Sequence, residues 1–283
     1  MKYCKLKSGD KVIVIAPSTA SSLIDAKVRE IAIKRLEALG LQVELDLTCE
    51  EVEFYGTANI AARIEQIHKA FVRTDIQGIF TFIGGFHSNQ LLPFLDFELI
   101  ANNPKFFSGY SDITALNNAL LAKSKLITLN GPHFSSFGEQ KGFEYTMQHF
   151  KNLAFNGADQ VLAPVQWSDD LWFLDQDKRE FLAHQGHIVL NPAKVSGTVL
   201  GGNISTFRLL QGTPFMPEVE GEIILFLEEA GGEENSNAFI RTLVSISQQD
   251  FFKQVTGIVI GKFQKVAKRD LQALQSFLES HPS

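Results

Sequence analysis

The chain has 283 residues, 45% of them hydrophobic and 20% charged, and its 26 Lys and Arg against 32 Asp and Glu give a formal net charge of −6. That balance excludes a long disordered region, and a mildly acidic chain without a basic cluster excludes nucleic acid as a partner. The length exceeds what one compact core usually holds and favours two domains. Cys4 and Cys49 are the only cysteines, too few for a disulfide scaffold and without zinc-site spacing, which fits a reducing compartment. Lysines at positions 2, 5 and 7 interrupt any signal-peptide core, and no run approaches the roughly 18 apolar residues of a membrane span. The expectation is a soluble, cytoplasmic protein with no membrane partner.

The β-branched run Lys11 to Ala16 predicts a strand that ends in Pro17-Ser18-Thr19, and Ala26 to Leu39 has helical apolar spacing before a Gly40 stop. Leu41 to Leu47 reads as the next strand, 59–72 as a helix, and Gly78 to Ile83 as a strand ending at Gly84-Gly85. Leu91 to Ile100 reads as a helix, Lys105 to Ser108 as a brief strand, and Ile113 to Ala122 as a helix. Strands alternating with helices predict an α/β domain with a parallel sheet wound on both faces, over residues 1–163. A polar, aromatic stretch around Trp167-Ser168-Asp169-Asp170 and Trp172 reads as an interdomain connection over 164–189. A smaller C-terminal domain, 190–283, follows with Gly201-Gly202, a helix near Ser205 to Leu210, a strand Glu222 to Leu227, a helix Ala238 to Ser247 and a strand Gly257 to Ile260.

Three local patterns carry chemistry. In Ser108-Gly109-Tyr110-Ser111-Asp112-Ile113 a strand runs into a helix through a turn with glycine two places before a serine. Such a turn either exposes Ser111 as a nucleophile or uses it as a helix cap, and Ile113 stands where the usual elbow pattern has its second glycine. Gly84-Gly85-Phe86-His87 ends another strand, as an oxyanion turn or simply as a tight strand-to-helix turn, and His87 is either a substrate contact or a loop histidine. The apolar strand finishing in Glu228-Glu229 places residues 224, 226 and 228 on one face by the two-residue period, so Glu228 is expected beside buried side chains and Glu229 opposite. Trp167 lines a cleft or packs the linker. His184 and His187 lack a third ligand in register and predict no metal, and neither a phosphate loop nor a dinucleotide fingerprint is complete.

Gly9-Asp10-Lys11 with Ala16-Pro17-Ser18, then Gly84-Gly85-Phe86, then Asn103-Pro104-Lys105 through Gly109-Tyr110-Ser111-Asp112-Ile113-Thr114-Ala115-Leu116 resembles the LD-carboxypeptidase family of serine peptidases. Gly201-Gly202-Asn203, Leu210-Gln211-Gly212-Thr213, Leu225 to Glu229 and Ile240-Arg241 continue the match, which covers residues 9 to 263. Ser88-Asn89-Gln90 and the Trp167 stretch look closer to the microcin-immunity branch. The resemblance implies a flavodoxin-like N-terminal domain, a C-terminal domain of swivelling β-barrel type, and a Ser-Glu-His carboxypeptidase without metal or cofactor. It puts the nucleophile on Ser111, the triad glutamate on Glu228 and the oxyanion donors on the backbone amides of Gly85 and Asp112, with Phe86, His87 and Trp167 facing substrate. A small peptide or a peptidyl-nucleotide is the implied substrate, and a homodimer the implied assembly. The family histidine follows the strand matched by Gly257 to Gly261 and has no matching residue; His281 comes too early in the family order. The alternative expectation is therefore a catalytically impaired homologue that binds a small molecule or peptide.

Overall fold

A computed structural model of the chain describes residues 1–53, 55–229, 236–263 and 271–280, and it separates into two compact units, Met1–Gly186 and His187–Ser283. In the larger unit, β1 (Lys2–Tyr3) pairs in parallel with β6 (Leu126–Ile127). The main sheet contains β2 (Lys11–Ile15), β3 (Gln42–Leu45), β4 (Gly78–Thr81) and β5 (Phe106–Ser108), all parallel, in the order β3-β2-β4-β5. Ser108 also makes a parallel bridge to Leu129. Counted from its first strand this is the 2-1-3-4 order of flavodoxin-type sheets, in which right-handed crossovers on either side of the first strand place helices on both faces.

Short polar side chains start the helices where the sequence places them. Asp25 accepts from the Lys27 amide at 2.8 Å to open α1 (Ala26–Ala38), and Gly40, at φ +86°, lets the chain turn away after it. Asn59 accepts from the Ala62 amide at 2.8 Å to open α2 (Ile60–Val72). The single helix expected over Leu91 to Ile100 is instead a tight turn, Ser88–Phe94, followed by α3 (Phe97–Asn102). Pro93 falls inside that turn and has no amide proton to continue a helical ladder, and Asp96 begins a new helix by capping Leu99 at 2.8 Å. After β5 come α4 (Thr114–Ser124) and α5 (Glu144–Lys151).

Phenylalanines fill the space against the sheet. Phe80 lies 5.7, 5.8 and 5.9 Å from the ring centroids of Phe106, Phe137 and Phe150, mostly in tilted or edge-on arrangements that favour the aromatic quadrupoles. Phe107, one residue along β5 from Phe106, stacks on Phe71 of α2 at 6.3 Å. Adjacent residues of one strand thus serve opposite faces, as the period of two requires.

Residues 164–186, expected as a connection, fold with the larger unit. β7 (Gln166–Trp167) and β8 (Leu182–Ala183) pair antiparallel, and Gln176 donates to Gly138 O at 3.0 Å. Arg179 makes an ion pair with Glu139 at 2.5 Å and donates to Lys141 O at 2.8 Å, its side chain only 3% exposed. Burial raises the Glu139 carboxyl even though Arg179 pulls it down. Removing the guanidinium leaves that carboxyl buried and unpaired, so Arg179→Ala is expected to destabilise this unit by about 3 kcal/mol and to speed proteolysis within 164–186. Denaturant unfolding together with mapped cleavage sites checks both.

The smaller unit contains β9 (Thr198–Asn203), β10 (Ile223–Glu228) and β11 (Val255–Ile260), an open parallel sheet in the order β11-β10-β9 among the described residues. Between and after them lie α6 (Ile204–Phe207), α7 (Ser236–Ser247) and α8 (Leu271–Ser280). Gly201 and Gly202 sit inside β9, at φ +114° and +121°, and a Cβ on Gly201 would collide with the Phe226 carbonyl. They allow close backbone approach in a strand. No helix among the described residues is long and apolar enough to cross a membrane.

Candidate active site

Ser111 follows β5 at φ +58°, a left-handed conformation that costs a non-glycine residue energy and that strand-to-helix elbows impose on an exposed side chain. It opens the short turn 111–113 that leads into α4, where the tightly wound first amides favour negative charge. Gly109 is required here because a Cβ would collide with Thr81 Oγ1. Ile113 fills the remaining space, its Cγ2 3.0 Å from that same position, which accounts for an isoleucine where the usual pattern has glycine. Asn117 Nδ2 donates to Gly109 O at 2.9 Å and fixes the turn from α4.

Two loops are tied to this elbow by buried charge. The Asp112 carboxylate, 2% exposed, accepts from Ser18 Oγ at 2.6 Å and from the Ser88 amide at 2.8 Å, while the Asp112 carbonyl accepts from Ser88 Oγ at 2.6 Å. Arg63 reaches from α2 and donates to Pro17 O and His87 O, both at 3.1 Å, and to Gln90 Oε1 at 3.0 Å. Its guanidinium is buried, which lowers its pKa against the opposing pull of Cys49 and Asp112. Gly84 and Gly85 lie between these anchors. Thr19 donates its amide to Gly84 O at 3.2 Å, and a Cβ on Gly85, at φ +150°, would collide with Ser18 Oγ and Thr19 Oγ1. A Cβ on Gly84 would sit 3.2 Å from Ser111 Oγ, so the glycine turn and the serine are neighbours.

Of the residues singled out from sequence, Asp112 and His87 thus join one hydrogen-bonded cluster, with Gly85 and Ser111 packed beside it. Phe86 follows, 81% exposed, and the His87 ring lies 5.5 Å from that of Tyr55. Trp167 is half-buried on β7 opposite Leu182. The Asp112 carboxylate, Arg63, Thr81 and His133 carry no local signal in the sequence, and Ser18 enters there only through the Ala16-Pro17-Ser18 motif. His184 Nδ1 accepts from the Gly186 amide at 3.0 Å, and among the described residues no three or more His, Cys, Asp or Glu gather as a metal site would need. His281 lies outside the described residues.

In the smaller unit β10 corrects the expected division of its two carboxylates. Residues 223, 225 and 227 form the fully buried face, and Glu229 follows on it at 8% exposed, taking Ser205 Oγ at 2.6 Å and Asn203 Nδ2 at 3.3 Å. Glu228 lies on the half-buried face with 224 and 226. The two-residue period does put 224, 226 and 228 together, but both faces are apolar and the core takes the other one. Glu228 Oε1 is nonetheless buried and has no hydrogen-bond partner among the described residues. Burial, followed by the charge of Glu229, raises the Glu228 carboxyl to about 7, with Asn203 offsetting part of the effect. A carboxyl poised near neutrality is the kind found where proton transfer is organised.

Two family models match the chain: the LD-carboxypeptidase N-terminal domain over residues 12–131 and the LD-carboxypeptidase C-terminal domain over residues 196–282. A protein of Treponema pallidum (strain Nichols) with a provisional carboxypeptidase name is 42% identical over 98% of this chain and 82% of its own. The crystal structure of an MccF-like protein from Bacillus anthracis superimposes with a TM-score of 0.93 at 42% identity, covering 100% of this chain and 87% of the other. The microcin C7 self-immunity protein MccF of Escherichia coli is 32% identical over 87% of this chain and 74% of its own. A structure of MccF in complex with glutamyl sulfamoyl guanosine matches with a TM-score of 0.85 at 27% identity, over 98% of this chain and 86% of the other. With both domains matched and a relative of this identity along nearly its whole length, the chain belongs to the LD-carboxypeptidase family of peptidases.

Proposed function

We propose that this protein is a metal-free serine peptidase that hydrolyses an amide bond near a free carboxylate through an acyl-enzyme. The observation that carries it is the Ser111 side chain held at a left-handed φ of +58° beside the Gly84-Gly85 turn. In this scheme Ser111 Oγ attacks the amide carbonyl carbon as its proton passes to the family's histidine base, for which this sequence has no matching residue, and the backbone amides of Gly85 and Asp112 receive the tetrahedral oxyanion. The same proton goes to the leaving amine as the C–N bond breaks. Water then attacks the ester, and Ser111 Oγ leaves with a proton returned to it. Glu228 is the acidic member of the triad, and Phe86, His87 and Trp167 face substrate. The C-terminal domain is of swivelling β-barrel type and the protein acts in the cytoplasm as a homodimer, as in the family it resembles.

Among substrates, an aminoacyl-nucleotide amide of microcin type is favoured over the L,D-tetrapeptide of a muropeptide, because MccF-like structures match so closely and MccF is known with an aminoacyl-sulfamoyl nucleoside. Offering both substrate types to the purified protein decides the point. Release of the amino acid from a non-hydrolysable-phosphate analogue of an aspartyl or glutamyl aminoacyl-nucleotide, with the muropeptide left intact, is the expected outcome. Turnover of muropeptide alone removes the immunity reading, and saturable binding of either without hydrolysis favours the impaired, ligand-binding alternative.

A further inference from the structure

His133 belongs to none of the motifs above, yet the elbow is built around it. It lies 2% exposed beyond β6, and its Nδ1 is 2.7 Å from Thr81 Oγ1 at the end of β4. All three residues of the elbow close on this Thr81–His133 pair. Gly109 is glycine because Thr81 Oγ1 occupies its side-chain position, the Tyr110 ring stacks on the imidazole at 4.3 Å and 29°, and Ser111 shares a neighbour, Gly84, with Nε2. The last relation follows from Gly84: one point, where its Cβ would be, lies 3.1 Å from Ser111 Cβ, 3.2 Å from Ser111 Oγ and 3.3 Å from His133 Nε2. Nε2 is buried and has no hydrogen-bond partner among the described residues. Buried polar atoms are rarely left so, and one beside a nucleophile asks for a role.

We propose that His133 is a positioning residue for Ser111, its Nε2 serving as the hydrogen-bond partner that the serine hydroxyl takes up when its side chain turns toward Gly84. The inference rests on Ser111 being the nucleophile. In the tautomer this role requires, Thr81 Oγ1 gives its one proton to His133 Nδ1 at 2.7 Å rather than to Ser108 O at 3.4 Å. Nδ1 is then the acceptor and Nε2 carries the ring proton. Burial holds the imidazole neutral, its pKa pushed down to about 3, so it is a donor and not a second base. Donation from Nε2 to Oγ fixes the nucleophile's rotamer, and it stabilises the negative charge that Oγ gains in attack and again when it leaves the ester.

The test measures how fast a fluorophosphonate probe labels the full chain, with the modified residue mapped by mass spectrometry, alongside thermal midpoints. His133→Asn keeps a polar atom near Thr81 and removes Nε2, and is expected to slow labelling of Ser111 by about tenfold or more; His133→Gln restores an amide nitrogen near the Nε2 position and is expected to stay within about threefold of wild type. Thr81→Val, nearly isosteric, removes the hydroxyl that orients the ring and is expected to slow labelling with little change in melting. Wild-type labelling in His133→Asn, or equal slowing in the Asn and Gln variants, overturns the proposal and leaves His133 as packing. If the wild-type protein is labelled at another residue or not at all, it is the nucleophile assignment that fails, and this inference falls with it.

Discussion

Ser111→Ala is expected to abolish hydrolysis, with kcat lowered by roughly 10⁴- to 10⁶-fold, and to prevent labelling by a serine-directed probe without weakening substrate binding. The size follows from the chemistry: without Oγ no acyl-enzyme forms, and only binding and the oxyanion donors remain. A companion variant separates catalysis from folding. Because Ser111 stands at φ +58°, Ser111→Gly relieves backbone strain and is expected to be equally inactive but more stable than the wild type by about 1 kcal/mol in denaturant unfolding. A Ser111→Gly protein with wild-type turnover sinks the nucleophile assignment. A loss of stability would show that the hydroxyl is a structural cap.

Glu228→Gln is expected to lower activity by roughly 10³- to 10⁴-fold and, above pH 7, to make the protein more stable. Burial, and after it the charge of Glu229, pushes the carboxyl from the ordinary glutamate value of 4.5 up to about 7 in the folded chain. Below the ordinary glutamate value the group is protonated in folded and unfolded chains alike and imposes no cost. Between the two values only the unfolded chain ionises, and stability falls as the pH rises. Above about 7 the folded chain carries an unfavourable buried charge, on the order of 3 kcal/mol, that glutamine does not carry. Unfolding at pH 4 and pH 8 should therefore show no difference between wild type and variant at the lower pH and a more stable variant at the higher. Unchanged activity would remove Glu228 from the triad, whatever the stability shows.

The two predictions rest on patterns of unequal visibility. The elbow was legible because strand, glycine, serine and helix follow one another directly along the chain, and each has a local physical signature. The order of strands and helices up to Ala122 was legible for the same reason: β-branched runs, helical spacing and capping residues act over a few positions. Even the break within residues 91–100 has a local cause in Pro93 and Asp96, which the apolar spacing concealed.

By itself the chain of residues determined the parallel α/β character of the first unit, the serine elbow, the glycine turn and a strand ending in two carboxylates, since these depend on neighbours a few residues apart. Only tertiary structure decided which carboxylate the core of the second unit takes, because the strand is apolar on both faces and period alone does not say which is covered. It alone brought Thr81 against His133, 52 positions away, and Ser18 against Asp112, 94 positions away, through hydrogen bonds that leave no trace in local spacing. The same holds for residues 164–186, whose docking depends on Arg179 meeting Glu139 across 40 positions. Propensity and periodicity are short-range, whereas buried polar groups are satisfied by whatever the packed fold places within about 3 Å of them.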